Sequence, residues 1–206
     1  MFRGFESTFT IDASISRPIE ASLSYADLAP KDAFIQRFNG SSFNSGLYRV
    51  VSTYATQGQA QAFIEEGFPD FAGRMEAISY DWLGRVFALD SGRLEEGLPA
   101  IMMFEPGTGE ALEIPCNIVS FHESELVQYG NEALAQGFHE EWLASGGPKP
   151  ALLQCIGYKN PLFLGGSDTL SNIELADLDV YWTLMGQLVR QTRHLPSGTK
   201  VSPRVG

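Results

Sequence analysis

The sequence predicts an α+β fold: a central antiparallel sheet of about five to six strands, with helices packed mainly on one face. Two hairpin signals stand close together in the middle of the chain, and helix-period segments follow them instead of alternating with them. Strands grouped ahead of helices argue against repeated βαβ units. A chain of 206 residues with 44% hydrophobic and 12% aromatic residues buries roughly 70% of its unfolded surface. Neither a disulfide nor a metal is needed for such a core.

The first 20 residues mix Ser, Thr, Arg and Pro18 without a sustained period and read as a short arm or a first helix. Lys31 to Phe38 has an amphipathic pattern, begun near Pro30 and ended by Asn39-Gly40, which predicts a helix. Leu47 to Tyr54 is rich in β-branched and aromatic residues and predicts a strand. Gln59 to Glu66 predicts a short helix stopped at Gly67, ahead of Pro69. Ala77-Ile78-Ser79-Tyr80 and Arg85 to Leu89 flank Asp81-Trp82-Leu83-Gly84 as one hairpin. Ile101 to Glu105 and Glu110 to Ile114 flank Pro106-Gly107-Thr108-Gly109 as a second. Ser120-x-x-Glu123 has the capping-box pattern for a helix to about Tyr129, and Asn131 is placed to cap another running to Ala144. Residues 146–172 read as a long Pro- and Gly-rich loop around a strand at Leu162-Phe163-Leu164. Asp177 caps the last helix, whose apolar positions Leu178, Tyr181, Trp182, Met185, Leu188 and Val189 keep helical spacing. No repeat or low-complexity linker divides residues 1–206, so one domain is expected, with residues 1–20 as its arm.

Charge narrows the function classes. The net charge is −11, and residues 61–141 hold 16 acidic and 3 basic residues, a local balance of −13. From Met185 onward every charge is basic: Arg190, Arg193, Lys200 and Arg204. Nucleic-acid binding needs cationic surface to displace phosphate counterions, so direct contact with DNA or RNA is not expected. An anionic field instead speeds encounter with a basic protein, although a charged segment also serves simply to keep a protein soluble. Glu65, Glu66, Asp70, Glu95 and Glu96 are the candidate partner-binding residues. No window approaches the ~18 consecutive apolar residues of a membrane span, and the N-terminus lacks the basic start and apolar stretch of a secretory signal. Cys116 and Cys155 are far apart and form no CxxC pair. Together these features predict a cytoplasmic protein with reduced thiols and no membrane partner.

Catalytic and cofactor motifs are missing. There is no Walker loop, no GxGxxG after a strand and no GxSxG elbow. His122, His139 and His194 form no HxxxH or HxH pair, although His122 and His139 could meet on adjoining helices. The doublets Glu95-Glu96 and Glu140-Glu141 point apart on any regular element. Asp168, Asp177 and Asp179 with Asn172 lack the spacing of a calcium loop. No catalytic, cofactor or metal residue is assigned. Trp82, Trp142 and Trp182 read as core or turn anchors.

Longer patterns carry a resemblance. Phe34 to Gly40 followed by Gly46-Leu47-Tyr48-Arg49 looks like the opening of SUKH-type immunity domains. Asp81-Trp82-Leu83-Gly84-Arg85, Phe104 to Glu110, Pro161 to Gly166 and Val180-Tyr181-Trp182 with Gly186-Gln187-Leu188 are a sharper match. Across roughly residues 30–200 they resemble the C-terminal domain of bacterial immunity proteins that neutralise type VI secretion DNase effectors. The resemblance implies a cytoplasmic antitoxin-like protein that occludes a nuclease toxin without catalysis. No catalytic residue is carried across, and the shared glycines and aromatics look structural. Two other readings stand beside it: a ligand- or peptide-binding domain with a housekeeping role, and an enzyme whose site is dispersed through the sequence.

Overall fold

Seven strands form one antiparallel meander in which each pairs only with its neighbours in sequence. They are β1 Ile11–Ser14, β2 Ser41–Phe43, β3 Tyr48–Val50, β4 Met75–Asp81, β5 Val86–Glu95, β6 Leu98–Glu105 and β7 Glu110–Asn117. The structure, a computed structural model, describes residues 1–15 and 28–195. The α+β class and the antiparallel sheet agree with the sequence expectation, but the main sheet has seven strands, not five or six. A separate two-stranded antiparallel sheet pairs β8 Gln154–Tyr158 with β9 Ile173–Asp177.

The expectation that helices cover mainly one face is corrected. Phe87, Leu89, Ile101 and Met103 point into one apolar cluster, while Val86, Ala88, Met102 and Phe104 point into another. Successive strand residues face opposite sides, so a run such as Ile101-Met102-Met103-Phe104 supplies both faces. The first cluster is closed by helices α1 Arg3–Thr8 and α2 Pro30–Phe38 and by a helical run, α4 Ile118–Ser120 through α5 Leu126–Gln128. The second is closed by α3 Gln57–Gly67 and by the last helix, Leu178–Thr192.

Five local features differ from the sequence expectation. Of the two readings of the first 20 residues, the first helix holds at Arg3–Thr8, and buried Phe2, Phe5 and Phe9 tie it to the core in place of a free arm; residues 16–20 lie outside the described residues. Each buried Phe contributes roughly 1.5–3 kcal/mol, enough to hold a short helix that would not persist alone. The segment between the two expected hairpins forms a third, turning at Glu96-Gly97. Both residues have positive φ (52° and 79°), as the tightest hairpin turns require. The helix after β7 begins at Asn117, whose side chain accepts from Val119 N and Ser120 N, while Ser120 Oγ accepts from Asn117 N. The capping box is therefore Asn117-x-x-Ser120, three residues upstream of the one expected. Glu123 instead accepts the amide of Gly4 at 3.1 Å and ties α1 to a five-residue π segment, Phe121–Glu125.

The expected helix over 131–144 breaks at Ala135, which has φ 49°. It divides into α6 Gly130–Leu134 and α7 Gln136–Ala144, and Asn131 Oδ1 accepts from Gly137 N at the start of the second piece. Residues 162–164 form a 3-10 turn, not a strand. The helix Leu178–Thr192, α8 in chain order, is capped by Asp177 as the sequence predicts, its carboxylate accepting from Asp179 N and Val180 N. Among the described residues no helix is long and apolar enough to cross a membrane.

Candidate partner-binding surface

Helices α3 and α8 pack over one face of the sheet and come close at Gly67 and Gly186. A methyl group on Gly67 would lie 3.5 Å from the Gly186 Cα. That approach lets Phe63 stack with Trp182, ring planes 16° apart. Trp182 also donates its indole N–H to the Gly84 carbonyl at 2.7 Å, which fixes α8 to the β4–β5 turn. Outside this contact the helices diverge into a groove of about 390 Å³ walled by Gly58, Gln59, Ala62, Glu66, Asp179 and Thr183.

Two of the five sequence-predicted acids, Glu66 and Asp70, meet the α8 end of this face, whereas Glu65 accepts from Gln61, which is itself bonded to strand β4. Glu65 and Glu66 end α3, and Asp70 lies in the 3-10 turn Pro69–Phe71 that follows. Glu66 Oε1 pairs with Arg190 at 2.9 Å, and Asp70 pairs with Arg193 at 3.4 Å. Arginines of the basic C-terminal stretch therefore lie against acids of the acidic middle. The other two predicted acids are elsewhere, at the tip of the β5–β6 hairpin, where Asn117 Nδ2 donates to the Glu95 carbonyl and to Glu96 Oε2. The five residues do not form one patch. The sequence assigns Asp179, Thr183, Gln187 and Arg190 no partner-binding role, although their spacing of four, four and three marks a polar stripe beside the apolar one on α8.

A buried polar network lies beneath. The Asp81 carboxylate accepts from Leu83 N and Arg85 N, both at 3.0 Å, and from Arg85 Nε at 2.5 Å. All its strong acceptor positions are engaged, so the pair is a structural clamp for the Asp81–Arg85 turn. Tyr158 Oη donates to Asp168 at 2.7 Å, and Asn172 Nδ2 donates to the Asn160 and Ser167 carbonyls. Asp168, Asn172 and the capping Asp177 thus hold separate parts of their loops. Among the described residues no group of three or more His, Cys, Asp or Glu is arranged to hold a metal ion.

The histidines do not converge. His122 is fully buried, its ring nitrogens bonded to Tyr48 Oη at 2.8 Å and the Ile118 carbonyl at 2.7 Å. Burial pushes its pKa down to about 3, so the imidazole stays neutral. His139 lies instead against Trp82, with ring centroids 5.1 Å apart, and burial lowers its pKa as well. Both cysteines are free; Cys155 is buried and its thiol is pushed up to about 12, whereas Cys116 is only half-buried.

Comparisons with known proteins bear on the family of one segment and on the fold. The family model described as "T6SS immunity protein Tdi1, C-terminal" matches residues 147–189, the segment holding β8, β9 and most of α8. The resemblance to type VI secretion immunity proteins is thereby supported from an independent direction. No curated protein matches the chain. The crystal structure of Atu4351 from Agrobacterium tumefaciens has a similar fold, with a TM-score of 0.61 and 14% sequence identity, covering 91% of this chain and 89% of that one.

Proposed function

We propose that this chain is a cytoplasmic immunity protein that binds a secreted bacterial toxin, of nuclease type, and blocks it by occlusion without catalysis. One observation carries the reading. The α3–α8 face joins Glu66 and Asp70, through Arg190 and Arg193, to a helix lying largely within the segment matched by the immunity family. A nuclease that grips phosphate is basic around its active centre. An acidic surface covers such a centre with fast, salt-dependent association. The hairpin acids Glu95 and Glu96 form a separate anionic site that adds to long-range steering without sharing the contact.

The test is co-expression of the chain with the toxin encoded beside its gene. Rescue of growth and recovery of a stable complex support the reading. A toxin that remains lethal, with no complex by pull-down, overturns it.

A further inference from the structure

We propose that the α3–α8 groove is a receptor for two cationic side chains, arginine or lysine, of the basic protein partner, and that Arg190 is their internal competitor. This deepens the proposed binding role, and rests on it, by naming the chemistry recognised at that face.

The groove has a carboxylate at each end, and among the described residues no cation of the chain lines its walls. Asp179 stands in the first turn of α8. Glu66 lies over Gly186, where an added methyl would meet its Cγ at 3.4 Å. The Glu66 carboxylate at the Gly186 end reaches to Arg190, and seven residues separate Asp179 from Gly186, a rise of about 10 Å along the helix. Between them the walls offer the side-chain oxygens of Gln59, Thr183 and Gln187, acceptors suited to N–H donors. Gly58 and Ala62 keep the α3 wall low enough for a side chain to enter. Phe63 and Trp182, both buried, form the floor.

The chain displays one half of this recognition itself. Arg190 reaches Glu66 from beyond the groove at 2.9 Å, with its side chain 64% exposed. Its guanidinium occupies the acceptor that a partner's cation would use. Exposed ion pairs are weak, so displacing it lowers affinity by at most about fivefold. Removing the competitor therefore strengthens binding, the opposite of what removing a structural ion pair would do. Repulsion between like charges disfavours a second copy of this acidic face as the occupant.

The test uses the full chain, isotopically labelled, titrated with ethylguanidinium and n-butylammonium as probes of arginine and lysine side chains, and read by NMR. The expected result is saturable shifts at Gly58, Ala62, Glu66, Asp179 and Thr183. The Glu66→Gln, Asp179→Asn double variant should abolish them, and Arg190→Gln should tighten binding roughly two- to fivefold. Shifts spread equally over Glu95 and Glu96, no saturation, or an Arg190→Gln variant that binds no tighter would overturn the proposal. With the toxin as ligand, a complex that forms equally well with the double variant overturns the groove and leaves the immunity role standing. Saturable probe binding without any toxin complex removes the immunity role and leaves the groove.

Discussion

Arg49 and Tyr80 face each other across strands β3 and β4, and both reach from the main sheet to the same stretch of the chain beyond it. The guanidinium lies 4.7 Å over the tyrosine ring. Arg49 donates to the carbonyls of Ala151, Gln154 and Asp81, while Tyr80 Oη donates to the Leu152 carbonyl at 2.7 Å. The two side chains thus fasten residues 151–154, the entry to the segment matched by the immunity family, onto the sheet.

This fastening predicts a steep penalty. Arg49 is fully buried, and replacing it with methionine leaves three carbonyls without their charged donor. Arg49→Met should destabilise the fold by about 3–5 kcal/mol and Arg49→Lys by about 2–3 kcal/mol, because lysine lacks the planar fork. Tyr80→Phe should lose only about 1–2 kcal/mol. Urea denaturation measures all three; an Arg49→Met variant as stable as the parent contradicts the fastening role.

Two glycine substitutions should move stability in opposite directions. A methyl at Gly107 would fall 2.6 Å from the Tyr158 ring, so Gly107→Ala should cost about 2–3 kcal/mol through the displaced ring. Gly58 sits in α3 with open space around a Cβ, and Gly58→Ala should stabilise by roughly 0.5–1 kcal/mol. Thermal melts of the two variants check the signs.

His122 makes stability depend on acidity. Its folded pKa of about 3 lies below the unfolded value of 6.5, so the unfolded chain binds the extra proton between those values. The stabilisation is complete above pH 6.5 and is lost as pH falls toward 3. His122→Phe should lose about 1–3 kcal/mol at pH 7.5 by abandoning the Tyr48 hydroxyl. The gap to the parent protein should then shrink progressively below pH 6.5. Parallel stability curves across that range would contradict a buried neutral imidazole.

Much of the fold was legible because its signals are local. The Asp177 cap and the α8 periodicity belong to short windows, as do the glycine-bearing turns at Gly84 and Gly109, both with positive φ (76° and 70°). The two-faced sheet was harder to read. Ile101 to Phe104 lack alternation because both faces are buried, and a continuous apolar run does not say how many layers enclose it. The third hairpin was hidden because its first turn residue is Glu96, not the Asn or Asp that usually precedes glycine there. Phe2, Phe5 and Phe9 bear no helical stripe long enough to stand out, and only distant partners such as Phe34 and Phe43 reveal their place.

The proposed binding surface was half legible. Acidity pointed to Glu65, Glu66 and Asp70, but linear charge grouped them with Glu95 and Glu96, which the sheet carries to another site. Pairing of Glu66 with Arg190 spans 124 positions and is a property of the folded chain alone.

The most direct test is the rate at which the purified chain associates with the neighbouring toxin at low salt, measured for two charge-reversal variants. Glu66→Lys with Asp70→Lys should slow association by at least about tenfold and accelerate dissociation, because the proposed contact includes both acids. Glu95→Lys with Glu96→Lys should slow association by only about two- to fivefold and leave dissociation unchanged, as expected for steering alone. Equal effects of the two pairs on both rates, or no effect of either, would contradict a contact built on the α3–α8 face.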